Sequence, residues 1–166
     1  VGIYDMITKT VNYPDPSVDK DIEPVWSPDG KWIAYIRTPN NKDRLPFTEK
    51  RTGSPWSIRL LNIENGTSKE IWKAAAGQGS VLFDNLPVTD NLLLWSADDF
   101  LVFPSEKDGW LHLYSLNIKN GSTHLLSPGD GEVENVILSS DKKAVIYTTN
   151  ISDSHRRHIW KVNISN

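Results

Sequence analysis

Four histidines, three recurring aspartates and seven tryptophans are the side chains of this sequence best equipped for chemistry. His155 and His158 stand three apart, which could set two imidazoles on one cation, but zinc would need further ligands from His112 or His124. The strand alternation around those two does not bring them together, so ordinary hydrogen-bonded histidines are expected and no metal site. Asp29, Asp98 and Asp141 look like general acids only in isolation. Each follows a serine by two residues in a turn, where a carboxylate accepts bonds from nearby backbone N–H groups. There is no cysteine, hence no thiolate nucleophile or thiolate metal ligand. No Gly-x-Ser-x-Gly occurs, and Gly77-Gln78-Gly79-Ser80 lacks the strand before and helix after that a nucleophile elbow needs. Phosphate loops, His-Glu-x-x-His and EF-hand patterns are also missing, so neither a catalytic residue nor a cofactor is assigned.

One segment remains a candidate for substrate contact. The polar connection from Thr38 to Pro55 carries Arg44, Glu49, Lys50 and Arg51 around Pro46-Phe47. Loops of this length are often functional, and a loop projecting into a channel would place these charges on a substrate. The competing role is a solvated surface loop. Tryptophans could stack sugars, but Trp26, Trp32, Trp95, Trp110 and Trp160 sit inside expected strands at equivalent points of a repeat, where packing between sheets accounts for them. Trp56 and Trp72 are left unassigned.

The elements that hold these residues repeat. Val25-Trp26-Ser27-Pro28-Asp29-Gly30-Lys31-Trp32-Ile33-Ala34-Tyr35 returns as Leu94-Trp95-Ser96-Ala97-Asp98-Asp99-Phe100-Leu101-Val102-Phe103, and again from Leu138 to Tyr147. Each copy is an apolar strand, an Asp turn and a second strand of β-branched and aromatic residues. Two copies continue into a third strand, an Asn-Gly pair (Asn65-Gly66, Asn120-Gly121) and a fourth strand. Asn-Gly predicts a two-residue type I′ hairpin with positive φ at both positions. The only helix candidate, Lys73 to Ala76, is stopped within a turn by Gly77. The expected fold is all-β: a partial β-propeller of about three four-stranded antiparallel blades. Residues 1–12 read as the end of a preceding blade, 22–74 and 91–127 as blades, and 131–166 as an incomplete blade. Thirteen strands are too few for a ring of the usual size, so the chain reads as an excerpt whose open edges would promote self-association.

Composition narrows the partners. Over 166 residues the net charge is −3, with 38% apolar and 23% charged side chains, which argues against nucleic acid and against a membrane span. Four Asn-x-Ser/Thr sequons stand at Asn65, Asn120, Asn150 and Asn163, and two of them coincide with the Asn-Gly turns.

The Trp-Ser-Pro-Asp-Gly-Lys unit resembles the repeats of TolB-like proteins and of the prolyl oligopeptidase superfamily. Phe103 to Tyr114, Ser154 to Val162 and Gly77 to Phe83 narrow this to the N-terminal propeller of dipeptidyl peptidase IV-like enzymes, in their bacterial secreted or periplasmic form. The resemblance implies a parent serine peptidase whose propeller walls and gates a C-terminal α/β-hydrolase domain acting on peptides. It also implies a glutamate pair for the substrate's amino terminus, and this sequence has no Glu-Glu. The alternative is a TolB-like propeller module for protein–protein interaction, with a sugar-binding propeller a weaker third.

Overall fold

Alternating apolar and polar residues, broken every few positions by Gly, Asn or Asp, give strands and tight turns. The computed structural model describes residues 1–40, 55–77, 79, 80, 82 and 92–165, and these hold strands but no helix. β1 (Ile3–Asp5) and β2 (Thr10–Asn12) form a small sheet. β3 (Lys20–Trp26), β4 (Trp32–Thr38), β5 (Ser57–Asn62) and β6 (Ser68–Lys73) follow as a four-stranded meander. β7 (Leu94–Trp95), β8 (Phe100–Ser105), β9 (His112–Asn117) and β10 (Thr123–Leu125) repeat it. β11 (Val133–Leu138), β12 (Ala144–Thr149) and β13 (His158–Asn163) make a three-stranded third sheet. Every pairing is antiparallel between neighbours in sequence, so the chain is a partial propeller of successive blades, as its repeats imply.

The pleat decides what each residue meets. On β4 and β5, Ala34, Ile36, Ile58 and Leu60 point toward the second sheet and share one core with Leu101, Phe103, Tyr114 and Leu116. On the second sheet the alternate residues Val102 and Leu113 point the other way and pack on Val145 and Tyr147. Each sheet thus covers its predecessor with one parity and is covered by its successor on the other. Burying one such side chain contributes roughly 1.5–3 kcal/mol.

Three local expectations are corrected. The Asn-Gly hairpins are four-residue turns rather than two-residue ones: Asn62 N–H donates to the Thr67 carbonyl at 2.8 Å and Gly66 N–H to the Asn62 carbonyl at 3.0 Å. Only Gly66 takes positive φ (69°), and Asn62 Oδ1 caps the turn by accepting from Glu64 and Asn65. Asn117 to Ser122 repeats the arrangement. The Asn that ends the strand therefore sets the geometry, not the Asn before Gly. Lys73 ends a strand, and Ala74 beyond it is buried as its N–H donates to the Trp56 carbonyl at 2.9 Å, which leaves no helical turn.

The tryptophans are the third. Trp95 is buried and Trp32 packs on the first core, but Trp26, Trp110 and Trp160 are exposed at 55%, 40% and 49%. The unassigned pair sits at the centre instead: Trp56 and Trp72 have ring centroids 4.7 Å apart, and Phe103 of the second sheet lies 4.6 Å from Trp72. Trp26 points away from the second sheet, with Ile33 beside it in register, which explains its exposure. The three exposed indoles lie at a strand end, in a loop and mid-strand, so they form no common rim for stacking a sugar.

Candidate functional site

Antiparallel meanders send alternate connections to opposite ends of a blade. The β4–β5, β8–β9 and β12–β13 connections and the links between sheets share one end, and the side chains best placed for chemistry gather there. The Asp turns occupy the other end. Ser27 Oγ donates to Asp29 Oδ1 at 2.6 Å, and Lys31 N–H donates to the same oxygen at 3.1 Å. Ser139, Asp141 and Lys143 reproduce this at 2.6 and 3.1 Å. The middle copy is one residue shorter, and Ser96 Oγ meets the backbone of Asp98 rather than its carboxylate, so the turn role expected for that side chain is not found. The Asp29 and Asp141 carboxyls are held below the usual range, by their serine hydroxyls first and then the lysine N–H.

At the loop end of the first blade lies a charged cluster. Arg37 forks onto Asp21, with Nε 2.7 Å from Oδ1 and Nη2 3.1 Å from Oδ2, and Nη2 also donates to the Asp15 carbonyl at 2.9 Å. Arg59 Nε donates to Asp15 Oδ2 at 2.8 Å, and the Tyr35 hydroxyl donates to the same oxygen while lying 3.0 Å from Ser68 Oγ. Burial works to raise the Asp15 carboxyl, but the bonds from Tyr35, Ser68 and Arg59 together with the Arg59 charge outweigh it and hold the group at about 2. Beside the cluster a recess of about 200 Å³ opens between Pro39 and Pro55, lined by Asp19, Arg37, Ser57, Arg59, Glu70 and Lys73. Its two arginines are already engaged by Asp15 and Asp21, so this arrangement pins the 13–21 segment onto β4 and β5. That is structural work.

The second blade carries an Asp–His pair. Asp108 Oδ2 lies 2.8 Å from His112 Nδ1 and accepts from the Tyr114 hydroxyl at 3.0 Å. Burial opposes ionisation of Asp108, yet these two partners keep its carboxyl below the usual range. Such a pair orients an imidazole for general-base catalysis only if the far nitrogen faces a nucleophile. Here Nε2 is 2.9 Å from the Gly129 carbonyl oxygen, and the ring is buried. The atom that would take a proton is occupied in tying the β10–β11 link to the second blade. The Lys107 ammonium sits 4.1 Å over the Tyr114 ring and closes the cluster.

Sequence reasoning missed a further pair of positions. A Cβ on Gly79 would lie 2.5 Å from Lys107 Cα, and one on Gly131 would lie 2.8 Å from Ile151 Cα. Both glycines close a Gly-x-Gly in the link between two sheets, Gly77 to Gly79 and Gly129 to Gly131, and both touch the same register of the next blade's loop. The repeat of that tripeptide at equivalent points was the available signal.

Arg44, Glu49, Lys50 and Arg51 lie outside the described residues. His155 and His158 are exposed and not joined by His112 or His124, and among the described residues no group of three or more His, Asp or Glu could hold a metal. Arg157 beside them pairs with Glu134 at 2.8 Å. No helix of the described residues is long and apolar enough to cross a membrane.

TolB from Acinetobacter baumannii superposes with a TM-score of 0.57 at 20% identity, covering 99% of this chain and 35% of its own. A puromycin-hydrolyzing peptidase of Mycobacterium tuberculosis gives 0.59 at 14% identity, covering 98% and 24%, and an oligogalacturonate lyase in complex with manganese gives 0.59 at 14%, covering 95% and 39%. At these identities the likeness is one of fold, and the chain spans well under half the length of each. No curated protein sequence matches it. The model of the dipeptidyl peptidase IV (DPP IV) N-terminal region matches residues 65–166, which include the Asp108–His112–Tyr114 cluster and both Gly-x-Gly links. By that match over more than half its length, the chain belongs to the family of the dipeptidyl peptidase IV N-terminal region.

Proposed function

We propose that this chain is the non-catalytic propeller part of a serine peptidase, walling and gating access of peptides to an α/β-hydrolase domain that lies outside these residues. The family match over residues 65–166 carries the reading. The site geometry is compatible with it: among the described residues, the Asp108–His112 pair is built like a catalytic dyad, but its far nitrogen is bonded to the Gly129 carbonyl. A ring of blades admits flexible peptides and excludes folded proteins by size. Arg44, Glu49, Lys50 and Arg51 are the residues this reading places along the substrate's path, and the setting is the periplasm or the exterior.

A second reading, a TolB-like module for protein–protein interaction, is favoured by the fold match to the Acinetobacter baumannii protein over 99% of the chain. The native polypeptide, isolated from its source and treated with a fluorophosphonate serine-hydrolase probe, separates the two. A much heavier, probe-reactive polypeptide that cleaves short peptides and spares folded proteins is the expected result. A native product of this size that ignores the probe would overturn the peptidase reading in favour of the interaction module.

A further inference from the structure

The two Asn-Gly pairs have a chemistry of their own. In such a pair the glycine peptide nitrogen can lose its proton and attack the asparagine Cγ, expelling ammonia and closing a five-membered succinimide. Water then reopens the ring at either carbonyl, leaving aspartate or isoaspartate, with no other reactant required. Glycine offers the attacking nitrogen the least hindrance, and Asn65 and Asn120 are both exposed.

The folded turns hold both reacting groups away from this path. Gly66 N–H is committed to the Asn62 carbonyl at 3.0 Å and Gly121 N–H to the Asn117 carbonyl at 2.8 Å. The Asn65 side-chain oxygen accepts from Thr67 N–H at 2.9 Å and from the Thr67 hydroxyl at 2.7 Å, whereas Asn120 accepts from Ser122 N–H at 2.9 Å. Closure needs the nitrogen freed and the amide swung toward it, so it requires the turn to open. We propose that Asn65 and Asn120 are deamidation sites kept closed by the folded hairpins, and that conversion records opening of each hairpin. Isoaspartate lengthens the backbone between the Asn62 or Asn117 carbonyl and the glycine N–H four positions on, so the closed turn cannot re-form. Asn120 converts first, because its carbonyl has one donor fewer and β10 is three residues long where β6 has six.

Incubating the whole chain at mildly alkaline pH, folded and in urea, with peptide mapping for isoaspartate, tests this. Folded protein should convert about tenfold or more slowly than unfolded, with Asn120 ahead of Asn65. Replacing the capping side chain, Asn117→Ala, should speed conversion at Asn120 and leave Asn65 unchanged. Equal rates folded and unfolded, or an Asn117→Ala variant with an unaltered rate at Asn120, would overturn the proposal. If that variant unfolds the chain, both sites accelerate together, and hydrogen exchange at Gly121 in the parent decides: fast exchange with slow deamidation also overturns it.

Discussion

The first two blades and the third sheet repeat one register and differ in what lies beside them. Ile58, Leu113 and Ile159 are equivalent positions, each third-strand residue four before the terminal asparagine (Asn62, Asn117, Asn163), and their exposures are 0%, 1% and 77%. Ile137 of the third sheet, equivalent to Val25 and Leu94, is likewise 55% exposed while its counterparts pack into cores. The sequence writes one apolar face three times, and a neighbour covers it twice. Burial here belongs to the junction between blades, because a propeller sheet has no core of its own.

That difference can be put to a direct measurement. Leu113→Ala should cost about 2–5 kcal/mol in chemical denaturation, since it empties a filled junction, whereas Ile159→Ala should change stability by no more than about 0.5 kcal/mol. Comparable losses at the two positions would mean that the third sheet's open face is covered in solution, by a second copy or by more of the protein.

The face of the first blade that looks away from the second sharpens the contrast. Where later blades place Phe103 with Tyr114 and Tyr147 with Trp160, this face places Tyr35 with Arg59 and closes them with Asp15. The later faces set aromatic rings against the preceding blade, whereas this face is closed by an ion pair. The Asp15 carboxyl, held at about 2 against an ordinary 3.8, contributes stability that is present above pH 4 and lost as pH falls toward 2. The contribution is about 2 kcal/mol by linkage, and Asp15→Asn should remove that acid dependence in pH-dependent melts. An unchanged acid limb in the variant would place the sensitivity elsewhere.

The smallest effect concerns the turns. Lys142 takes φ 55° where the first blade has Gly30 at 71°, so Lys142→Gly should raise stability by about 0.5–1 kcal/mol through relief of left-handed strain. A loss in thermal melting would show that the lysine side chain matters more than its backbone.

Much of this was legible in the residues. The Ser-x-Asp and Asn-Gly repeats announced all-β blades, because turn chemistry is local and acts wherever the pattern occurs. The Asp29 and Asp141 roles followed from the same logic. Other assignments were not legible, for one reason. Whether Trp26 or Trp56 is buried depends on which sheet stands beside it, and strand alternation fixes only the face. The Asn-Gly turns have four residues because Asn62 and Asn117, a short distance upstream, outcompete the dipeptide for the backbone.

The candidate site divides in the same way. His112 beside Asp108 could be read from sequence as a suspicious pair, but only the approach of the Gly129 carbonyl from a different connection shows that its second nitrogen is spent. The closeness that makes Gly79 and Gly131 indispensable likewise belongs to chain segments far apart in sequence. The sequence by itself determined the strands, their order, the faces they present and the family. Tertiary structure alone decided which faces are covered, which charges meet and which nitrogen is free, since each depends on distances between blades that no local pattern encodes.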